Sequence, residues 1–118
     1  MIREYIGVYH ADGGLVGEAK YVIGHLLGRT HCSLCDITHS PLRRKRQWDA
    51  FVGGLTVPFR LYHLNEMPSD VADVVATVGS PVVLSRDTAG VLQLVLTPSQ
   101  LDQLDGSVGS FAAALEAV

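Results

Sequence analysis

Residues 81–96 constrain the fold more than any other stretch of this chain. Pro81-Val82-Val83-Leu84-Ser85 is a largely apolar, β-branched run, Asp87-Thr88-Ala89-Gly90 is a turn, and Val91 to Leu96 is a second apolar run. Two such runs across a Gly-bearing turn predict an antiparallel hairpin. Upstream, strand and helix patterns alternate. Arg3 to His10 reads as a strand, and Asp12-Gly13-Gly14 breaks it. Leu15, Ala19, Val22, Ile23, Leu26 and Leu27 then recur at helical spacing as far as Gly28, a natural C-terminal stop. Ser40-Pro41 predicts the start of a second helix, with Ser40 as N-cap and Pro41 at its first position, running to about Val52 before Gly53-Gly54. Leu55 to Leu64 reads as a strand, and Ser69 as the cap of a helix through Val78. After the hairpin, Thr97-Pro98-Ser99-Gln100 has the form of a capping box. Val108, Phe111, Ala112 and Leu115 mark a last amphipathic helix. Alternation that ends in a hairpin predicts an α/β chain: a mixed sheet of parallel strands plus a C-terminal antiparallel hairpin, flanked by helices.

At 118 residues the chain is read as a single domain over 1–118, and 47% hydrophobic residues can bury a core without staples. A formal net charge of −3 with 18% charged residues argues against a general nucleic-acid binder, which carries a basic excess. No run approaches the roughly 18 consecutive apolar residues of a membrane span, so no membrane partner is expected. The first residues lack the basic-then-apolar pattern of a signal peptide, and the expected location is the cytoplasm. Thiols stay reduced there, which favours a metal-binding or catalytic role for a cysteine pair over a structural disulfide. Nothing in the composition fixes the oligomeric state.

The chemistry concentrates in His31-Cys32-Ser33-Leu34-Cys35-Asp36-Ile37-Thr38-His39, which holds both cysteines and two of the five histidines. Cys32 and Cys35 have the spacing of a zinc knuckle or a redox dithiol, provided the chain turns there. In a flat strand the two side chains would face opposite sides. His39 follows Cys35 by four residues and supplies a third donor; His31, His10 or His63 supplies a fourth. Reduced thiols with imidazole suit zinc, with Zn–S near ~2.3 Å and Zn–N near ~2.0 Å, or copper(I). Three ligands and an open position suit catalysis, and four suit structure. Asp36 is a candidate acceptor for a histidine N–H. A thiol near His31 or His39 would instead carry more thiolate at neutral pH and serve redox chemistry. The plain alternative is a buried strand with core cysteines.

Arg43-Arg44-Lys45-Arg46 is the strongest charge run; in the first turns of the expected helix it opposes the macrodipole. Trp48 and Phe51 read as core. His10-Ala11-Asp12-Gly13-Gly14 stands at a strand-to-helix junction, a usual ligand position in α/β proteins, without a full dinucleotide fingerprint. His25 and His63 read individually as structural or surface residues, and Glu18, Glu66 and Glu116 are dispersed with no obvious carboxylate pair.

Val78-Gly79-Ser80-Pro81-Val82-Val83-Leu84, then Ala89-Gly90 and Val91-Leu92-Gln93-Leu94, resembles the Gly-x-Pro strand, tight turn and returning strand of the thioredoxin-like superfamily. The resemblance covers residues 30–118 loosely and concerns the fold. It implies a thioredoxin-like mixed sheet with Pro81 in the place of the family's cis-proline, beside the active site. The family sets its Cys-x-x-Cys at the start of the helix that follows a strand. In one alignment that place holds Thr38-His39-Ser40-Pro41, and in another His10-Ala11-Asp12-Gly13; neither contains cysteine. The leading expectation is a small cytoplasmic protein binding zinc or copper through Cys32, Cys35 and His39, with His31 or His10 next in line. The competing one is a thiol-disulfide oxidoreductase in which Cys32 and Cys35 are the catalytic thiols, a protein thiol is the partner and Pro81 shapes the groove. A third is a protein-interaction module using a basic helix at 43–46.

Overall fold

A computed structural model of the protein describes residues 1–10, 33–40 and 43–117. The helix expected over 15–27 lies outside them, as do His25, His31 and Cys32. The described elements run β1 (Ile2–Val8), α1 (Ser33–Thr38), β2 (His39–Ser40), β3 (Arg43–Arg44), α2 (Arg46–Gly53), β4 (Phe59–Tyr62), α3 (Ser69–Val78), β5 (Val82–Asp87), β6 (Leu92–Leu96), α4 (Pro98–Asp102) and α5 (Val108–Glu116).

Four strands form one mixed sheet in the order β4-β1-β5-β6. β1 pairs parallel with β4 and antiparallel with β5, and β5 and β6 form the expected hairpin. Among the described residues the parallel pairing is thus a single pair. Side-chain alternation divides the core. Ile6 and Val8 of β1 join Val82 and Leu84 of β5 under α3, whose Val71, Val74, Val75 and Val78 recur at helical spacing. Tyr5, Tyr9 and Val83 face the opposite side, where α1, α2, α4 and α5 pack. Trp48 of α2 ties that layer together, with its ring 5.1 Å from Phe59 and 5.4 Å from Phe111, both edge-on. It is core, as expected. Each fully buried apolar chain of this kind contributes ~1.5–3 kcal/mol.

Local signals account for the C-terminal half. Asp87 Oδ1 accepts from the backbone N–H groups of Ala89 and Val91 and closes the β5–β6 turn, where Gly90 takes φ +87°. Thr97 and Gln100 form the reciprocal capping box at the start of α4, with Pro98 behind the cap. The Ser80–Pro81 peptide that leads into β5 is cis. Glu4, Arg60, Arg86 and Asp70 form an ion-pair chain across β1, β4, β5 and α3.

Three expectations need correction. The helix read over 41–52 from a Ser40 cap begins instead at Arg46, with Lys45 as its N-cap; His39–Ser40 and Arg43–Arg44 pair as a small antiparallel ladder. A residue before proline is driven to extended backbone, which suits Ser40 to a strand. Starting after Arg44 also keeps two cations out of a helical first turn, where Asp49 now lies. The basic helix at 43–46 is therefore a two-residue strand, a cap and a single helical residue. The strand read over 55–64 shrinks to Phe59–Tyr62, because Pro58 has no N–H to give a ladder; its carbonyl accepts from Tyr5 N–H. Ser69 is the first residue of α3 rather than its cap, which is Pro68.

Candidate functional site

The carboxyl end of β1 gathers more chemistry than any other part of the described molecule. Ligands in open α/β sheets bind beyond the carboxyl ends of parallel strands, and β1 and β4 are the parallel pair here. Tyr9 continues their ladder by one bond, from its N–H to the carbonyl of Tyr62 at 2.9 Å. Its side chain is buried among apolar groups, and its hydroxyl lies 2.8 Å from Thr38 Oγ1 at the end of α1. The Thr38 hydroxyl in turn donates to the carbonyl of Cys35 at 3.4 Å, the long edge of a hydrogen bond. The Thr38 carbonyl accepts from Lys45 N–H at 2.8 Å, which draws the start of α2 against the end of α1.

Cys35 sits in α1, so the segment turns helically instead of running as a flat strand. The reading of a buried strand is corrected by that helix. Leu34, Cys35, Ile37 and Thr38 are all buried, with Cys35 8% exposed. Gly7 of β1 explains how α1 comes so close: a Cβ there would meet Leu61 at 2.9 Å, Phe59 at 3.0 Å and Leu34 at 3.2 Å. Glycine in this position lets Leu34 rest on the strand.

His10, the residue after Tyr9 and two beyond the end of β1, leaves the buried layer and is exposed. Its Nδ1 lies 2.8 Å from Ser80 Oγ, across the entry to β5. His63 follows β4 directly; its backbone N–H and Nδ1 both reach Glu66 Oε1, at 3.0 and 2.7 Å. These bonds hold the Glu66 carboxyl below its ordinary range. The His63 ring stands 5.1 Å from the Tyr9 ring.

The structure therefore brings Cys35, Thr38, Tyr9 and His63 into one connected set, with His10 the residue after Tyr9. His39 opens β2 one residue beyond Thr38. Cys32 and His31 precede the described start of α1, so their part in the predicted ligand set lies outside the described residues. Among the described residues no three His, Cys, Asp or Glu groups stand close enough to hold a metal ion. Lys45 Nζ donates to the carbonyl of Gly106 at 2.8 Å, so this member of the basic run ties α2 to the turn before α5. Sequence reasoning missed Tyr9, Thr38 and Ser80, whose partners are 29 and 70 residues away. It also missed the His63–Glu66 pair, which a three-residue spacing could have signalled. Among the described residues no helix is long and apolar enough to cross a membrane. Comparison with family models, curated proteins and solved structures finds no match to this chain.

Proposed function

We propose that this chain is a thioredoxin-like domain that binds a transition metal, zinc or copper(I), through Cys32, Cys35 and His39, with His31 or His10 completing the set. The observation that carries the reading is the helical turn over Ser33–Thr38, held to the end of β1 by the Tyr9–Thr38 bond. The helix turns the chain at Cys35, with His39 one residue past its end; a turn rather than a flat strand is what Cys-x-x-Cys-x-x-x-His needs to act as a chelate. Thiolate and imidazole are the donors that zinc and copper(I) favour. A reducing compartment such as the cytoplasm would keep both thiols available.

Support for the thioredoxin-like part comes from strand order and direction: a parallel pair, an antiparallel third strand and a hairpin fourth. That order favours the alignment in which His10-Ala11-Asp12-Gly13 follows the first parallel strand, where the family carries its dithiol. The cysteine pair comes later in this chain, yet the Tyr9–Thr38 bond links its segment to the same end of the sheet. In this reading the redox pair has been moved and given over to metal.

Elemental analysis by mass spectrometry, on untagged protein purified without chelator, tests the proposal together with a thiol count. One equivalent of zinc or copper, lost in Cys32→Ala and in Cys35→Ala, is the expected result. No metal, with two thiols that oxidise reversibly, would replace it with the thiol-disulfide oxidoreductase reading.

A further inference from the structure

We infer that Tyr9 is a positioning residue for the Cys/His segment: its hydroxyl, through Thr38, sets where Cys35 and His39 stand against the end of β1. The inference builds on the metal-site reading but concerns the placement of the segment, which can be measured without metal.

The ring and the hydroxyl of Tyr9 have separate roles. The ring packs in the buried layer that contains Leu34, Cys35, Ile37 and Val83, which a phenylalanine ring would fill equally well. A buried phenol, however, needs a hydrogen-bond partner. The partner here is a threonine with no exposed surface, on the last residue of α1. Thr38 is a junction. Its hydroxyl touches Tyr9 and the Cys35 carbonyl, and its own carbonyl takes the N–H of the α2 cap. His39 is the next residue in the chain.

α1 needs such a fix. A helix of six residues has no stability of its own. Burial of Leu34 and Ile37 holds it down, but apolar burial is non-directional and leaves the segment able to shift or rotate. The Tyr9–Thr38 bond is a directional contact between this segment and the end of β1. Tyr9 is itself fixed on both sides, by its N–H to Tyr62 and by the His63 ring. Residues that orient metal ligands from outside the coordination shell typically change metal affinity 10- to 100-fold when removed.

The test uses the full chain with cobalt(II) as the spectroscopic probe for a zinc-type site, in wild type, Tyr9→Phe, Thr38→Val and Thr38→Ser. The modification rate of Cys35 by an aromatic disulfide, read by peptide mass spectrometry on metal-stripped protein, is the second measurement. Thr97→Ala, which weakens the cap of α4 away from the segment, controls for lost stability. Tyr9→Phe and Thr38→Val are expected to weaken cobalt binding by about tenfold, shift its visible bands and speed Cys35 modification. Thr38→Ser, which keeps the hydroxyl, and Thr97→Ala should track wild type. Wild-type behaviour of Tyr9→Phe in both measurements would overturn the inference. If wild type takes up no cobalt, the metal reading fails and the modification rates decide. Acceleration in Tyr9→Phe and Thr38→Val, but not in Thr38→Ser, then upholds Tyr9 as a positioning residue, and equal rates in all four proteins refute it.

Discussion

Between Val82 and Glu116 the turn and the helix caps are closed by neighbours in sequence, whereas the segment from Ser33 to Arg46, its small β2–β3 ladder apart, is held in place by distant partners. Asp87 closes the β5–β6 turn with Ala89 and Val91, Thr97 caps α4 with Gln100, and Ser107 caps α5 through Ser110 N–H. By contrast, α1 rests on Gly7, Thr38 bonds Tyr9, and Lys45 reaches Gly106. The first region is a scaffold that local chemistry specifies. The second takes its shape from the sheet beneath it, and it is the region that carries Cys35 and His39. A segment built this way can be repositioned by a change on β1 without disturbing the hairpin.

The largest expected effect would break both regions together. Trp48→Ala removes the ring that joins α2, β4 and α5, and should cost about 3–5 kcal/mol in urea unfolding. A smaller loss there would mean that the aromatic layer repacks around the gap. Gly7→Ala separates the regions: the added methyl pushes Leu34 and Leu61 outward and should cost about 1–3 kcal/mol. Hydrogen exchange should speed up in α1 and stay nearly unchanged in β6 and α5; uniform acceleration would contradict the division. Thr97→Ala is the mirror experiment. It loses the cap of α4 at about 1 kcal/mol and should leave Cys35 reactivity at the wild-type rate.

The smallest effect is acid sensitivity. Asp87, chiefly through the Val91 N–H, and Asp70, chiefly through Arg86, are held below the ordinary carboxylate range. The folded protein therefore binds fewer protons at these sites than the unfolded chain does. Their stabilisation is complete above the ordinary value of 3.8 and is lost as pH falls through the lower folded values. The urea midpoint should drop between pH 5 and pH 2, by less in Asp87→Asn. An equal drop in that variant would remove Asp87 from the account.

What the sequence revealed follows the same division. The hairpin, its turn, the Thr97 capping box and the last helix were legible because each signal lies within a few residues of its partner. The Ser40-Pro41 pair has the form of a helix start, but the bond from Lys45 N–H to Thr38 and the ladder of His39–Ser40 with Arg43–Arg44 outweigh it. α1 is too short to show a hydrophobic period, and the cysteine within it hid its apolar face. The donors were visible as residue types. Their attachment to the end of β1 was not, because Tyr9 and Thr38 stand 29 residues apart and neither residue type announces the other.

Zinc K-edge absorption on the metal-loaded full chain tests the central claim most directly. The account predicts two sulfur donors near ~2.3 Å and at least one imidazole nitrogen near ~2.0 Å, with the sulfur shell halved in Cys35→Ala. A shell of oxygen and nitrogen only, unchanged by that substitution, would contradict a metal site built on the cysteine pair.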